Sequence, residues 1–531
     1  MTQNKYDTVI VGAGMAGLTS AAYLSRAGQK VLLIEKNREC GGLVNSFTRD
    51  GFHFDGGVRA LEDAGIIFPM LKDLDIDLDV VKSPVSLGIE DKILHIENLQ
   101  SLKEYENLLR KLYPESESEI AAVLKKIRRI MKHMDVLYGI ENPVFKDLKR
   151  DRSFIFTKLL PWLPKFLLTV GKINRMNMPV ENYLDNLVTN PSLKDIISQH
   201  FFKGTPTFFA LSYFSLYLDY FYPKGGMKEL STVLENKILE HGGEIKRETE
   251  ISHVAADQRF VRDQHQSTYA YDHLIWAADL KTLYRIVETG GVAPKIQSNL
   301  QAAKSRILKS RGGDSVFTLF IEVDEPLESF RRIAHGHFFY TPSRQGLGET
   351  HRAELQKLLQ GFADLRKEDL MAWLDKFTAL NTYEISIPGL RDPELAPKGK
   401  TGLIVSLLAE YDLFVSVQEA GWYDGFKKAL EKRMVDVLSD SVYPFLKSKM
   451  ITCFSFTPLS IANRIGSSEG AITGWSFEKA VPVVNKIQYS SRSVLTPIPA
   501  VFVAGQWAYS PAGVPMAILT GKLATEKILK K

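Results

Sequence analysis

A strand that runs straight into spaced glycines constrains this chain more than any other feature. Tyr6-Asp7-Thr8-Val9-Ile10-Val11 leads into Gly12-Ala13-Gly14-Met15-Ala16-Gly17. A helix-like stretch follows, and a second apolar strand, Val31-Leu32-Leu33-Ile34, ends at Glu35. Each part of such a unit has a physical task. Gly12 makes the tight turn, Gly14 lets the backbone approach a pyrophosphate, and Gly17 lets the helix pack close to the strand, with the helix N-terminus facing the phosphate charge. Glu35 lies 21 residues beyond Gly14, where a carboxylate accepts hydrogen bonds from a ribose hydroxyl and repels a 2′-phosphate. The unit predicts a dinucleotide site for FAD or NAD rather than NADP. An ordinary tight turn, with Glu35 as a solvated acid, leaves the spacing unexplained.

At 531 residues the chain exceeds one compact core, and two domains are expected. Cys40 and Cys453 are its only cysteines. That excludes a disulfide framework and a cysteine-rich metal site, and it implies a reducing compartment. The polar start, Met1-Thr2-Gln3-Asn4-Lys5, leads directly into the first strand and leaves no room for a signal peptide, so a cytoplasmic location is expected.

The net charge of +5 is unevenly placed: between Lys146 and Arg175, eight basic residues stand against Asp147 and Asp151. No nucleic-acid motif accompanies them, so no nucleic-acid partner is expected. The same window encloses the apolar run Phe154–Val170, which contains Lys158 and Lys165 and is broken by Pro161 and Pro164. Those features argue against a membrane span. They suit a segment lying in a lipid interface with its lysines at anionic headgroups, or a partly buried lid over a cavity, and the two are compatible. Residues 146–175 are thus a candidate membrane-surface contact, peripheral rather than spanning.

Beyond Glu35, paired glycines recur at Cys40-Gly41-Gly42 and at Gly51-Phe52-His53-Phe54-Asp55-Gly56-Gly57, as backbone lying against a cofactor requires. From about Ala64 to Tyr217 the pattern is helical, with Val123, Leu124, Ile127, Ile130, Met131 and Met134 at a helical period. An α/β pattern returns near Tyr222-Pro223-Lys224-Gly225-Gly226, and a helix through Leu230–Ile238 ends at Gly242-Gly243. Strands are predicted over Ile245–Val254, Phe260–Val261, Tyr269–Tyr271 and Leu274–Ala278, and again over 315–323 and 403–408. Ala500–Ala504 reads as a buried strand; Gly505 to Gly513-Val514-Pro515 follows, and a helix Met516–Leu529 closes the chain. Pro515 suits the first turn of that helix, whose amides would stabilise negative charge on a reduced flavin ring. A capped helix on a sheet is the plainer alternative.

Together these segments resemble the flavoprotein family of phytoene desaturases, carotenoid cis–trans isomerases and retinol saturases. The resemblance rests on the glycine turn through Glu35, the Gly41-Gly42 pair and Gly51–Gly57. It continues through Gly204-Thr205-Pro206-Thr207-Phe208-Phe209-Ala210-Leu211-Ser212, Tyr222–Met227, Trp276-Ala277-Ala278-Asp279 and Asp392–Pro397, and it ends with Ala504-Gly505-Gln506 and Gly513-Val514-Pro515. It is weak from Leu71 to Leu193. It implies an α/β fold with a Rossmann-like FAD-binding domain, discontinuous in sequence (1–70, 220–300 and 485–531), and an inserted α+β substrate-binding domain (71–219 and 301–484) with a helical part. It also implies non-covalent FAD and an apolar isoprenoid or carotenoid-like substrate. By the resemblance, Gly12, Gly14, Gly17, Glu35 and Gly42, with Ala16, Lys36 and Gly41 beside them, bind the ADP half. Ile251 meets the adenine, and Gly505, Gln506, Val514 and Pro515 lie near the ribityl chain and flavin ring. Leu43 stands where many related flavoproteins carry arginine, and Gln506 where an acid is common.

In this chemistry the flavin carries the difficult step, and the protein supplies position and a dry cavity. Desaturation or saturation of a carbon–carbon bond is the primary expectation. A redox-neutral cis–trans isomerase and a non-catalytic prenyl-lipid carrier like the GDP-dissociation inhibitors of prenylated GTPases are alternatives. The densest aromatic cluster runs from Phe201 to Tyr222; core packing competes there with a hydrocarbon tunnel. His335 and His337 form an H-x-H without an evident third ligand, so no metal is expected. His200 is the better acid–base candidate, no single catalytic base is assigned, and Cys40 carries no sign of an activated thiolate. With one dinucleotide fingerprint only, oxygen, a quinone or a transient nicotinamide remain as electron partners.

Overall fold

The computed structural model describes residues 5–288, 290, 294–348 and 350–530; the polar residues 1–4 read above lie outside them. Strand β1 (Lys5–Val11) is buried on both faces over its second half, as a central parallel strand must be. It pairs in parallel with β2 (Val31–Ile34) and with Thr268–Trp276, in a sheet ordered 244–246, β2, β1, 268–276, 260–263, 251–255 and 287–288. The late strand Val501–Val503 joins this sheet alongside 268–276, so both ends of the chain share it. Helix α1 (Met15–Arg26) crosses from β1 to β2 and is buried almost throughout, because the C-terminal helix Val514–Leu529 lies against its outer side. Ser20 Oγ donates to the Gly521 carbonyl at 3.1 Å, and any side chain at Gly521 would overlap the Ala16 carbonyl.

A second, seven-stranded sheet is ordered 450–456, 315–323, 401–409, 383–386, 337–341, 85–89 and 92–96. Phe317, Leu319, Ile385 and Val405 point to one face, into a core shared with residues of the helices Lys367–Leu380, Tyr411–Glu419 and Tyr423–Ser439. The alternate residues point the other way: Thr318, Ser406, Glu384 and Phe339 are register partners across four neighbouring strands. That second face meets Phe52, Phe54 and Arg59.

Four local expectations change, the first being that the strands predicted over Tyr269–Tyr271 and Leu274–Ala278 are one, Thr268–Trp276. The strand predicted over Ile245–Val254 is two strands, Glu244–Lys246 and Ile251–Ala255, because the chain turns through Glu248 (φ 54°) to leave one partner for another. The segment Ala64–Tyr217, read as helical, also supplies strands Val80–Lys82, Val85–Ile89 and Lys92–Ile96. Pro161 and Pro164 do not break the apolar run: the helix Arg152–Ile173 is continuous over 22 residues and, by length and composition alone, could cross a membrane. A π-helical turn at Ile155–Leu159 lies just before Pro161, which sits in the first turn of the following α-helical segment, so the missing amide and the ring are accommodated without a stop.

Candidate functional site

The two strand–glycine–helix junctions lie side by side. Gly12 N donates to Ile34 O at 2.8 Å, Ala277 N to Val11 O at 2.8 Å, and Ala504 N to Trp276 O at 3.0 Å, so four strand ends are fastened in one row. Gly12 has φ +99°, and a Cβ there would press on the Ala277 carbonyl. A Cβ at Gly17 would overlap the Gly12 carbonyl oxygen, which is the close helix–strand approach expected of it. At Gly14 the situation is opposite: nothing lies within 4 Å of a Cβ position, so the glycine faces open space. Gly41 bridges Gly14 and donates to Ala13 O at 2.8 Å, and a Cβ on Gly42 would come within 3.4 Å of the Gly14 Cα. Gly505 approaches Ala16 with 3.4 Å between its Cβ position and that methyl, and donates to Thr520 Oγ1 at 2.9 Å.

Glu35 is buried at the end of β2. Its Oε2 accepts from Ala13 N at 2.8 Å, and its Oε1 accepts from Asn37 N and Nδ2, both at 2.9 Å. A carboxylate has about four acceptor sites, so one remains on Oε2 for a hydroxyl donor. The stretch that carries Ile251 runs beside it, since Thr249 N donates to Glu35 O and Glu35 N to Lys246 O. Lys36 points away from this cradle, reaching Asn463 O at 3.5 Å. The N-termini of α1 and of the C-terminal helix, at Gly14 and Gly513, both lack a side-chain cap, leaving their amides for an anionic or polar group. Val514 and Pro515 form the first turn of the second helix. An open cradle at Gly14, a partly free Glu35 and two uncapped helix ends fit an adenine dinucleotide. Leu43 is used through its backbone, its carbonyl accepting from Val58 N at 2.9 Å, and Gln506 packs its carbonyl against Gly474. Cys40 is buried, and burial pushes its thiol up to about 12, so no thiolate stands there.

The aromatic cluster divides between core and cavity. Phe201, Tyr213, Phe214 and Tyr217, with His200, Phe339 and Tyr105, line an apolar cavity of about 70 Å³. Tyr222 is core instead: its hydroxyl donates to Asp55 Oδ2 at 2.8 Å, under the Arg391 guanidinium 3.9 Å from its ring centroid. Burial drives the His200 imidazole down to about 4, so at neutral pH it is uncharged in the cavity wall. His335 and His337 do not share a site. The His335 ring lies tilted against that of His95, their centroids 4.6 Å apart, while His337 Nε2 lies 3.1 Å from Glu384 Oε1.

Glu384 opens a network that sequence reading missed. Arg59 Nη1 lies 3.6 Å from Glu384 Oε2, and Arg59 Nη2 donates to Ser406 Oγ at 2.8 Å; Arg391 Nη1 donates to the Arg59 carbonyl at 2.8 Å. Desolvation would raise the Glu384 carboxyl, but the Arg59 charge and the His337 hydrogen bond outweigh it and hold it at about 2. The network ties the loop after Gly56-Gly57 to the inner face of the second sheet. The one hint in the sequence was a lone acid in the strand Tyr383–Ser386.

Comparisons with known proteins agree with this geometry. The family model described as "Flavin containing amine oxidoreductase" matches residues 15–342. An all-trans-retinol 13,14-reductase of Macaca fascicularis is 21% identical over 99% of this chain and 86% of that protein. A 4,4'-diapophytoene desaturase (4,4'-diaponeurosporene-forming) of Staphylococcus aureus (strain COL) is 20% identical over 98% of each. Among solved structures, an oxidoreductase from Methanosarcina mazei is similar with a TM-score of 0.59 at 15% identity, covering 99% of this chain and 100% of that one. At that identity the likeness speaks for the fold alone.

Proposed function

The chain belongs to the flavin containing amine oxidoreductase family and is an FAD-dependent oxidoreductase, and from that premise we propose that it desaturates or saturates a carbon–carbon bond of an apolar isoprenoid or carotenoid-like molecule. The observation that carries the reading is an aromatic, nearly charge-free cavity in a chain whose two ends build one dinucleotide cradle. The names of the retinol reductase and the diapophytoene desaturase support the same substrate class. When bound, FAD supplies hydride exchange at its ring.

The chain's own residues do the rest. The amides at Gly14 and the open space before it receive the pyrophosphate, Glu35 takes a ribose hydroxyl, and the backbone near Ile251 meets the adenine. Gly505, Gln506, Val514 and Pro515 set the ring at the second helix N-terminus, whose amides favour negative charge there. Phe201, Tyr213, Tyr217 and Phe339 hold an elongated hydrocarbon and exclude water, so orientation supplies much of the rate. The division into FAD-binding segments (1–70, 220–300, 485–531) and substrate segments (71–219, 301–484) follows this assignment of roles.

The helix Arg152–Ile173 adds a lipid surface as delivery site. Phe156, Leu160, Leu167 and Leu168 are exposed, Leu168 by 69%, while Trp162 Nε1 donates to Val136 O at 2.5 Å and fastens the helix to the body. Lys158 and Lys165 within it suit anionic headgroups better than a bilayer interior.

The experiment is to incubate the purified protein with isoprenoid extracts and follow product mass. Gain or loss of two hydrogens in an isoprenoid is expected. Conversion without mass change would favour an isomerase, and prenyl-lipid binding by a flavin-free protein would favour a carrier.

A further inference from the structure

Glu62 has no task in the site described above, yet its surroundings are those of a working group. It ends the short strand Leu61–Glu62, which pairs with Tyr220 and Phe221. On one side, Glu62 Oε1 lies 3.9 Å from the position a Cβ would take on Gly513, the residue that starts the C-terminal helix. On the other side its strand partner Tyr220 has its ring centroid 6.0 Å from that of Tyr217, which lines the aromatic cavity. Glu62 therefore stands between the proposed flavin end of the cradle and the proposed substrate cavity. Glu62 is mostly but not wholly covered by protein, as a group facing an internal space is.

Its charged and titratable neighbours are Asp219, Tyr220 from the paired strand, Tyr213 from its helix, and Tyr138 at the end of the helix Glu117–Leu137. Lys82, 3.9 Å from Asp219, answers that acid. Among the described residues, the Glu62 side chain has no hydrogen-bond partner and no ion pair. A carboxyl with a purely structural role would be paired, because leaving one unpaired inside protein is destabilising. Burial, with Asp219 adding to it, pushes the group up to about 7, so both protonation states exist near neutrality.

We propose that Glu62 is the proton-transferring catalytic residue of the reaction assigned above, serving the substrate carbon next to the one that exchanges hydride with FAD. The inference rests on that functional reading. In desaturation two C–H bonds break. One carries its electron pair away as hydride to oxidised flavin, and the other releases a proton to the Glu62 carboxylate, its electron pair becoming the new π bond. Saturation is the reverse, with reduced flavin as the hydride source and the Glu62 carboxylic acid as the proton source.

The test compares the FAD-loaded full chain as wild type, Glu62→Gln and Glu62→Asp, on an isoprenoid that the wild type converts. Glu62→Gln should keep its FAD content and lose turnover by ~10²–10⁴-fold, with loss of the kcat/KM limb near neutrality, and Glu62→Asp should recover part of both. A second measurement needs no turnover: infrared spectra of substrate-free wild type should show a protonated-carboxyl band titrating at about pH 7, absent in Glu62→Gln. Turnover of Glu62→Gln within about threefold of wild type, with an unchanged pH profile, overturns the role while leaving the function standing. Absence of the titrating band in wild type overturns it as well. Failure of the wild type to convert any isoprenoid strikes the function instead, and the band still reports on Glu62.

Discussion

At the scale of single residues, two glycines three positions apart should behave in opposite ways. Gly17→Ala would drive a methyl into the Gly12 carbonyl and must open the turn, so the apoprotein should melt markedly lower, by ~2–4 kcal/mol of stability. Gly14→Ala meets no protein atom and keeps an allowed backbone (φ −72°), so apoprotein melting should stay within about 1 kcal/mol of wild type. Thermal melts of the two variants check the pair; equal losses would mean that Gly14 is merely structural. Glu384 gives a pH prediction. Its folded carboxyl titrates at about 2, below the ordinary 4.5, so the stability it contributes is fully present above pH 4.5 and is lost as pH falls toward 2. Glu384→Gln should destabilise the apoprotein by about 3 kcal/mol at neutral pH, since it leaves Arg59 buried beside a neutral group, and the gap to wild type should close in acid. Urea melts across pH measure this. The glycines and Glu35 were legible in the sequence because their spacing is local. Arg59, His337 and Glu384 were not, because they meet only through the register of strands 47 residues apart in the chain.

At the scale of elements, the helix Arg152–Ile173 shows where a local rule was overridden. Two prolines read as breaks, yet Pro161 falls in the first turn after a π-helical turn and Pro164 is carried inside the α-helical segment, and the continuous helix leaves its leucines bare. Replacing Leu167 and Leu168 together by glutamate should abolish binding to vesicles of anionic lipid while leaving the fold intact, because both side chains are mostly exposed. The wild type should bind such vesicles in sedimentation assays, and salt should weaken it. Equal binding by the double variant would assign the surface another task. The long strands Ser315–Val323 and Thr401–Ala409 were readable as β-branched and apolar runs. The strands Val80–Lys82, Val85–Ile89 and Lys92–Ile96 were not: they are short, the first two pair with strands more than a hundred residues away, and the third pairs with the second as a hairpin.

At the scale of the whole molecule, β1 and the strand Val501–Val503 flank Thr268–Trp276, so one ligand can be gripped by both ends of the chain. Binding of FAD should therefore protect residues 5–35 and 501–529 from hydrogen exchange together, by about 2.7 kcal/mol at a free concentration one hundred times Kd. Protection of one end alone would separate the two junctions. The most direct test of the central claim is titration of FAD into the apoprotein, wild type against Gly14→Ala. One FAD per chain in the wild type, with affinity lost at least about tenfold in a Gly14→Ala protein that still melts normally, is the expected result. A wild type that binds no FAD, or a Gly14→Ala variant that binds it equally well, would contradict the account.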